Sequence, residues 1–353
     1  MSLFYKTATA FMRSLPAEPA HRATIKALKM GLGPRHDLHD LRLKTNVGGL
    51  NLDNPVGLAA GFDKNAEVPA AMLKAGFGHV ECGTVTPRPQ KGNPKPRLFR
   101  LTQDQAVINR MGFNNGGLEP FAQRLSSQSR QSNRGLIGAN LGANKDSTDR
   151  IEDYVTGLSR LWGLSDYFTI NISSPNTPGL RALQGADAMD ELLGRISEKR
   201  AELTADKPSF PIFLKVAPDL EDSQIERVTE QACHYGMNAI IVSNTTIARP
   251  ESLQNPNKSQ AGGLSGQPLF ERSTEILKAF ASAANGQIDL IGVGGISNGA
   301  QAYAKIRAGA KAVQLYSALV YAGPSLVKEI CDDIVARMDA DGFTSIEQAA
   351  ALS

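Results

Sequence analysis

The chain of 353 residues has few cysteines and lacks an apolar run long enough to cross a membrane. Its three cysteines, Cys82, Cys233 and Cys331, are far apart and form no CxxC pair, which favours a reducing compartment and argues against a disulfide framework or a zinc site. No apolar run approaches the roughly 20 residues of a spanning helix, and the N-terminus lacks the apolar core of a signal peptide. A net charge of +3 is too small to make nucleic acid the main partner.

Residues 1–40 form an N-terminal segment with its own pattern. Apolar residues recur at helical spacing up to Pro16, and a second helical pattern runs to the glycines and proline of residues 31–34. Through Arg35 the segment has six basic residues and one acid, Glu18. Two short basic amphipathic helices suit an anionic membrane surface, but they equally suit a helical pair packed across the main domain. A transit peptide would also be basic, yet these helices lie almost directly against the rest of the chain.

Residues 41–353 predict one large domain that begins with a β-hairpin at residues 41–53. Eight short apolar runs then alternate with helical stretches, at residues 56–60, 79–85, 136–141, 167–173, 211–217, 239–245, 290–294 and 312–318. Continuous apolar strands between helices indicate a parallel sheet covered on both faces. The α/β pattern therefore predicts a (β/α)8 TIM barrel with a small N-terminal amphipathic helical extension. A doubly wound open sheet is the alternative, because counting strands does not prove closure.

The stretch of residues 171–179 carries the strongest functional signal. Asn171 ends an apolar run, and Ser174 and Thr177 each precede a proline, which restricts their backbones. A stiff loop of hydroxyls and amides can aim a weak base at a polar substrate, whereas a lone Ser-Pro-Asn would be a plain turn. In a barrel the other strands end beside this loop, and almost all of those ends carry a polar group or a glycine. The loop is therefore predicted to be one wall of an active site.

Two glycine-rich stretches predict a phosphate site. Residues 262–266 lie between the sixth and seventh predicted strands, and residues 292–295 end the seventh. Glycines allow close backbone approach, and N–H groups at a helix start attract an anion. Phosphate sites in this fold favour the loops after strands seven and eight.

Lysines and asparagines add to the predicted site. Lys64 and Lys215 each follow an apolar run that would place them at the barrel mouth, where a desolvated ammonium needs an anion, a polarised ring or a neighbouring carboxylate. Because an amide both donates and accepts, a set of amides suits a cyclic amide such as a nucleobase-like ring. The asparagines in question are Asn109, Asn114, Asn115, Asn140, Asn171, Asn176 and Asn244.

Together these residues closely resemble dihydroorotate dehydrogenases of the quinone-dependent, membrane-associated class, over essentially the whole chain. The matching motifs are GLAAGFDKN at 57–65, GTVTPRPQ at 83–90, NRMGFNN at 109–115, the Ser174 loop, FLKVAP at 213–218, SNTT at 243–246, GGLSG at 262–266 and GVGG at 292–295. The resemblance implies a barrel with one FMN per subunit that oxidises dihydroorotate to orotate in pyrimidine biosynthesis and passes the electrons to a membrane quinone.

The resemblance also implies roles for individual residues. FMN would contact Ala60, Gly61, Phe62, Asp63, Lys64, Thr84, Asn140, Asn171, Lys215, Ser243, Gly266, Gly295, Tyr316 and Ser317. Dihydroorotate would be held by Lys64, Asn109, Arg110, Met111, Gly112, Phe113, Asn171, Asn176, Asn244 and Thr245. Ser174 matches the catalytic base, with Thr177 and Phe113 beside it on a proton path, and Lys215 would stabilise charge at the flavin N1–O2 edge.

A serine at the base position and the N-terminal helical pair both select the quinone class, because the NAD-linked and fumarate-linked relatives carry cysteine there. In the quinone class the helices form an apolar tunnel to the flavin edge. Candidate lining residues are Leu3, Phe4, Phe11 and Ile25, and the positions that match polar quinone contacts are His21, Arg100 and Tyr316. We expect a monomer without a transit peptide, peripheral on the cytoplasmic side of an anionic inner membrane.

Two other functions fit parts of the pattern. A Schiff-base aldolase or lyase would use Lys215 as nucleophile and the glycine loops for a sugar phosphate, but it leaves the asparagines and basic helices unexplained. An FMN barrel acting on uridine in RNA, as in the dihydrouridine synthases, is disfavoured by the modest net charge.

Overall fold

The structure, a computed structural model, describes residues 3–38, 40–129, 135–177 and 179–351. Its helices are α1 (Leu3–Ser14), α2 (Ala17–Lys29), α3 (Pro69–Lys74), α4 (Leu118–Ser129), α5 (Arg150–Leu161), α6 (Ala186–Thr204), α7 (Asp222–His234), α8 (Phe270–Ala284), α9 (Gly299–Arg307), α10 (Leu319–Ala322), α11 (Leu326–Asp341) and α12 (Ile346–Ala350). None of the helices in these ranges is long and apolar enough to cross a membrane.

The strands are β1 (Thr45–Val47), β2 (Leu50–Leu52), β3 (Val56–Leu58), β4 (His79–Val85), β5 (Leu98–Leu101), β6 (Ala106–Asn109), β7 (Leu136–Leu141), β8 (Tyr167–Asn171), β9 (Ile212–Val216), β10 (Ala239–Val242), β11 (Gly263–Gly266), β12 (Asp289–Val293) and β13 (Ala312–Leu315).

Eight of these strands close into a barrel in the order β3-β4-β7-β8-β9-β10-β12-β13. Each strand pairs in parallel with the next, and β13 returns to β3 with Val313 opposite Val56. The barrel strands are buried along almost their whole length, as strands covered on both faces must be. The predicted TIM barrel is confirmed, and the open-sheet alternative is excluded by closure.

The β1–β2 hairpin closes the N-terminal end of the barrel. The Gly48 N–H donates to Asp289 Oδ2 at the start of β12 (2.7 Å), and a Cβ at Gly48 would lie 2.6 Å from the Phe213 ring. Apolar side chains of the hairpin, Val47 and Leu52, join the cluster that fills this end of the barrel. The interior is therefore filled at one end, and a site can open only at the other.

The hairpin is shorter than the alternating sequence predicted. Residues Leu41–Leu43 form a 3₁₀ helix, and the first strand begins only at Thr45. Asp40 accepts the backbone N–H of Arg42, so a capped turn replaces the expected strand pairing.

A three-stranded antiparallel sheet, β5-β6-β11, is an addition that the sequence did not reveal. The glycine-rich stretch expected to be a phosphate loop forms β11, which pairs with β6 from Gly263 opposite Asn109 to Gly266 opposite Ala106. A Cβ at Gly266 would lie 2.4 Å from the Gln105 carbonyl oxygen. Glycine at Gly266 thus allows close contact with neighbouring protein backbone.

Candidate active site

A cavity of about 520 Å³ opens at the C-terminal ends of the barrel strands and continues under α1 and α2. Most of the predicted site residues line it. From the barrel these are Ala60, Gly61, Phe62, Lys64, Thr84, Asn109, Met111, Gly112, Phe113, Asn171, Ser174, Asn176, Lys215, Ser243, Asn244, Thr245, Gly266, Gly295, Tyr316 and Ser317, joined by His21 and Arg100.

Among the residues given a catalytic, FMN or dihydroorotate role, four do not line the cavity. The Asp63 carboxylate accepts the N–H groups of Glu67 (2.8 Å) and Val68 (2.7 Å), so it holds the loop after β3. The Arg110 guanidinium lies over the Phe99 ring, 4.6 Å from its centroid. The remaining two, Asn140 and Thr177, are buried next to lining residues.

The amides at the strand ends form one connected network. Asn244 Nδ2 donates to Ser173 Oγ (2.9 Å), which donates to Asn171 Oδ1 (2.8 Å). Asn171 Nδ2 in turn donates to Thr84 Oγ1 (3.0 Å) and to Asn140 Oδ1 (3.1 Å). Since each amide is oriented by the next, the set presents a fixed pattern of donors and acceptors to the cavity.

Glu81 anchors this network, and sequence analysis missed it. This fully buried carboxylate accepts from Asn140 Nδ2 (2.7 Å), Thr169 Oγ1 (3.0 Å) and Gln314 Nε2 (3.1 Å), on three different strands. The sequence does contain a sign of this role, because Glu81 is a charged residue in the middle of an apolar strand, and a buried charge needs partners.

Lys215 brings a buried ammonium to the cavity. Burial lowers the pKa of Lys215, and the Glu81 charge opposes that shift. Within the described ranges no carboxylate forms an ion pair with Lys215 and nothing hydrogen-bonds to its Nζ. The structure therefore does not provide the salt bridge that was one alternative for this lysine, and the ammonium is available to a bound anion or a polarised ring.

Lys64 is a second lysine at the cavity wall. Its Nζ donates to the Gly61 carbonyl oxygen (2.5 Å). Burial lowers the pKa of Lys64 to about 8, although the charges of Asp63 and Glu18 oppose the shift. A cation that titrates this close to neutrality is suited to binding an anionic substrate.

Ser174 is buried and lines the cavity. The hydroxyl oxygen accepts the N–H of Asn176 (3.2 Å). Asn93 links this loop to residues 109–113. Its Nδ2 donates to the carbonyl oxygens of Asn176 and Arg110, each at 3.1 Å. Thr177 Oγ1, three residues after Ser174, is buried without a partner among the described groups. Pro178 lies outside the described residues.

Arg181 is a second residue that the sequence did not single out. It donates to the Ser173 carbonyl oxygen (3.1 Å), to Asp219 Oδ2 (2.8 Å) and to the Thr245 carbonyl oxygen (3.0 Å). One guanidinium thus joins the loops that follow β8, β9 and β10. This clamp fixes the loop that carries Ser174.

The helical side of the cavity is lined by small residues, with Ala8, Thr9, Ala17, Ala20, Thr24 and Ala27 among them, and also by the larger Tyr5, Met12, Leu28 and Leu32. Two of the predicted lining residues are placed elsewhere, since Phe11 is 61% exposed and Ile25 packs on the main core. The side chains of Leu3 and Phe4 lie outside the described part of the chain. Small side chains therefore line part of the cavity that Phe11 and Ile25 were predicted to line.

Three aromatic rings mark the junction between the helices and the barrel. The His21 and Phe62 rings meet edge to face at 5.4 Å, and Phe62 meets Tyr316 at 5.7 Å. Burial and the Lys64 charge lower the pKa of His21 to about 3, so its imidazole is neutral at physiological pH.

Arg100 holds the end of α1. Its guanidinium donates to the carbonyl oxygens of Arg13 (2.8 Å) and Leu15 (2.6 Å), and it lies 3.4 Å from that of Met12. A cation at these positions satisfies carbonyls that have no partner within the helix. Arg100 therefore has a structural task beside any contact with a ligand in the cavity.

The wall between β12 and α8 fits a phosphate group. Gly294 and Gly295 adopt left-handed φ values of +108° and +77°. A Cβ at Gly295 would lie 2.4 Å from Phe270 Cα, so this turn packs directly on the start of α8. Backbone N–H groups at a helix start favour an anion. With Lys215 and the amide network nearby in the same cavity, the residues fit a cofactor with a phosphate tail and a polar ring.

Comparison with known proteins gives a consistent result. Residues 42–338 match the family described as dihydroorotate dehydrogenase. The chain is 51% identical to the dihydroorotate dehydrogenase (quinone) of Xanthobacter autotrophicus, with 98% of each chain covered. It is 50% identical to that of Azorhizobium caulinodans, also with 98% of each covered. Among solved structures, DHODH from Eimeria tenella in complex with ferulenol superposes with a TM-score of 0.91 at 39% identity, covering 95% of both chains.

Proposed function

The chain belongs to the dihydroorotate dehydrogenase family, and on that premise we propose how its residues carry out the reaction. The protein oxidises dihydroorotate to orotate in pyrimidine biosynthesis, using FMN and a quinone as electron acceptor. The observation that supports the residue assignment is that Ser174, Lys64, Lys215 and the amide network share one cavity with small residues of α1 and α2.

FMN would be held with its ring beside Lys215 and its phosphate at the Gly295 wall. When bound, FMN supplies the hydride acceptor for the reaction. The Lys215 ammonium would stabilise negative charge at the ring edge, and its lack of a carboxylate partner in the described ranges supports that role. Gly61 and Ser243 also border this part of the cavity.

Ser174 would act as the base. Oxidation forms a C5–C6 double bond in the substrate, so C5 loses a proton while C6 loses a hydride. Ser174 Oγ takes the C5 proton, and burial shields it from competing water. The Arg181 clamp and the Asn93 bridge hold the serine loop in place. Lys64 and the amides bind the carboxylate and the cyclic amide of dihydroorotate.

Because a serine hydroxyl cannot hold a second proton, the proton of Ser174 Oγ must pass to an acceptor as the C5 proton is taken. Thr177 Oγ1 is buried and unpartnered among the described groups, so it can accept a hydrogen bond without breaking another. Phe113, which lines the cavity, would limit the access of bulk water. These features support a short proton path through Thr177.

The helical pair would guide quinone to the flavin. The cavity continues from the barrel mouth under α1 and α2, with His21 and Tyr316 at the junction. A neutral His21 can donate a hydrogen bond from its ring N–H to a quinone carbonyl. Arg100 is close enough to line the same space, although its guanidinium is engaged by α1.

We further infer that the helical pair rests on an anionic membrane, at the cytoplasmic side of the inner membrane. Phe11, Met30 and Leu32 are large exposed apolar residues of this segment, next to basic Arg13 and Lys26. A quinone dissolved in the bilayer would then lie beside the entrance of the cavity.

The Ser174→Ala variant tests the assignment of the base. Anaerobic mixing with dihydroorotate should bleach the flavin about 10² to 10⁴-fold more slowly than in the unmodified protein, because general base catalysis contributes about that factor. Orotate should still bind with a similar Kd, because the hydroxyl is one small group in a large site. A bleaching rate equal to that of the unmodified protein would remove Ser174 from its proposed role.

A further inference from the structure

Lys305 is a buried lysine that the proposed catalytic and quinone parts of the site do not use. It lies on α9, is 0% exposed, and its Nζ donates to Ser273 Oγ (2.8 Å) and Thr274 Oγ1 (3.1 Å) of α8. Its Nζ also lies 5.4 Å from the centroid of the Phe270 ring. No carboxylate within the described ranges pairs with it. A buried ammonium with only neutral partners is unfavourable unless an anion compensates it.

The Lys305 ammonium lies behind the turn that carries Gly294 and Gly295. Ser273 Oγ, which contacts Lys305 Nζ, is also 3.0 Å from the Gly294 carbonyl oxygen. Gly294 and Gly295 both line the cavity. The ammonium is therefore separated from the cavity wall by one hydroxyl and one peptide.

The start of α8 makes this wall positive from a second source. A 3₁₀ turn at Gln267–Leu269 leads into α8, and the Phe270 N–H donates to the Gln267 carbonyl oxygen, so the positive end of the helix dipole lies at this turn. The charged residues of α8 itself are all exposed; they are Glu271, Arg272, Glu275 and Lys278.

The other charges packed around α9 are engaged elsewhere. On α11, Asp333 pairs with Arg337, and Asp341 accepts from a tyrosine hydroxyl. Arg307 of α9 donates to a carbonyl of α12. Burial is the cause that lowers the pKa of Lys305 to about 7, with no neighbouring charge to oppose it. The positive wall thus lacks a counter-charge within the described protein.

We propose that Lys305 is the buried counter-charge of the FMN phosphate, acting across Ser273 and the turn at Gly294. The proposal rests on the proposed placement of FMN in the cavity. Lys305 is a positioning residue, since it reaches the cofactor through protein groups. Because a phosphate dianion raises the pKa of a nearby ammonium, protonated Lys305 must strengthen phosphate binding by the same factor.

Flavin exchange measures this contribution directly. Purified full-length holoenzyme is equilibrated with riboflavin, which has the flavin ring but no phosphate, and the ratio of the two bound flavins is measured. Lys305→Met should shift the exchange constant about 10 to 100-fold towards riboflavin, the factor that corresponds to a pKa shift of one to two units. Lys278→Met, which changes an exposed lysine of the neighbouring helix α8, should leave the constant within twofold. A purely structural role would weaken both flavins alike and leave the ratio unchanged, which would overturn the proposal.

The unmodified protein provides a second measurement should Lys305→Met fail to retain flavin. Displacing FMN with riboflavin at pH 8 should release about 0.4 to 0.8 proton per site, because Lys305 with a pKa of about 7 is mostly neutral without the phosphate, and a pKa raised by one to two units keeps it largely charged beside the phosphate. A pH indicator in weak buffer reports this release. Exchange without proton release would contradict the proposal. If no flavin binds at all, the proposed FMN site is at fault and not Lys305.

Discussion

Single side chains decide both the chemistry and the affinity of this site. The amide network that ends at Glu81 holds Asn140 and Asn171 in fixed orientations, so a substrate bound as proposed would meet donors and acceptors that need no rearrangement. Lys64 and Lys215 remain without carboxylate partners in the described part of the chain, and both have a pKa lowered by burial. A charged ammonium at either position therefore destabilises the protein without ligand. It becomes favourable once a bound anion or a reduced flavin ring supplies negative charge.

The lowered pKa of Lys64 makes substrate affinity depend on pH. In the free protein Lys64 is a cation below about pH 8 and loses its proton above it. An anionic ligand needs the cation, so binding at higher pH must take up a proton. The Kd of orotate should be nearly constant from pH 6 to 7 and rise about tenfold between pH 7 and 9. Titration of the flavin spectrum with orotate measures this.

Lys64→Met is the control for that pH dependence. The variant should bind orotate weakly at every pH, with no rise between pH 7 and 9. A rise in Kd that persists in the variant would assign the titration to another group.

The sequence predicted the residues that line the cavity better than it predicted the residues that hold them in place by hydrogen bonds. Strand-end position identified Asn171, Ser174 and Lys215, because the ends of parallel barrel strands meet at one face. Glu81 was recognisable as a buried charge, but the roles of Glu81 and Arg181 depend on partners that include Asn140, 59 residues from Glu81, and Thr245, 64 residues from Arg181. Contacts of that separation follow from the closed barrel, and local pattern does not encode them.

At the level of elements, most of the predicted barrel strands are confirmed, and their ends differ where the chain turns towards the cavity. Strands β4 and β7 match the predicted bounds, whereas β8 ends at Asn171 and not at residue 173. The added β5-β6-β11 sheet could not be inferred, because β11 is a glycine-rich strand with no apolar alternation. Strand β11 forms because its glycines allow the backbone to approach β6 closely, and this contact is visible only in the folded chain.

Arg100 connects this added sheet to α1. Removing its charge in Arg100→Gln takes away hydrogen bonds to the carbonyl oxygens of Arg13 and Leu15. Because the end of α1 then lacks its cap, trypsin should cleave after Arg13 several times faster, and quinone turnover should fall. Limited proteolysis followed by mass spectrometry measures the first effect.

Arg88→Gln is the matched control, since Arg88 forms an exposed ion pair with Asp146. It should change neither proteolysis nor turnover. If Arg100→Gln slows quinone turnover while α1 stays as resistant as before, Arg100 acts by contacting quinone and not by holding the helix.

For the molecule as a whole, the exposed apolar residues of the helical pair should determine membrane attachment. Phe11→Ser should weaken binding to vesicles containing anionic lipid by about 10- to 150-fold, since burying such a side chain contributes about 1.5–3 kcal/mol. Raising the salt concentration should weaken binding further. Leu41→Ser, an exposed leucine outside the pair (73% exposed), should bind like the unmodified protein. Equal loss in both variants, measured by vesicle sedimentation, would place the membrane contact elsewhere.

The central claim is that one cavity performs two separable half-reactions, with Ser174 at the barrel and quinone under the helices. Ala8 lines the helical part of the cavity, and Ala10 of the same helix is exposed and does not. Ala8→Phe should obstruct quinone and leave reduction by dihydroorotate unchanged, whereas Ser174→Ala should do the reverse. Ala10→Phe should affect neither step.

Anaerobic double-mixing stopped flow separates the two steps by following flavin absorbance, first with dihydroorotate and then with a quinone. Ser174→Ala, reduced chemically before the second mix, should be reoxidised within twofold of the unmodified rate. Ala8→Phe should be reduced within twofold and reoxidised at least about tenfold more slowly, because a phenyl ring would occupy space now left by a methyl group. If either variant slows both steps to a similar extent, the two half-reactions do not divide the cavity in this way.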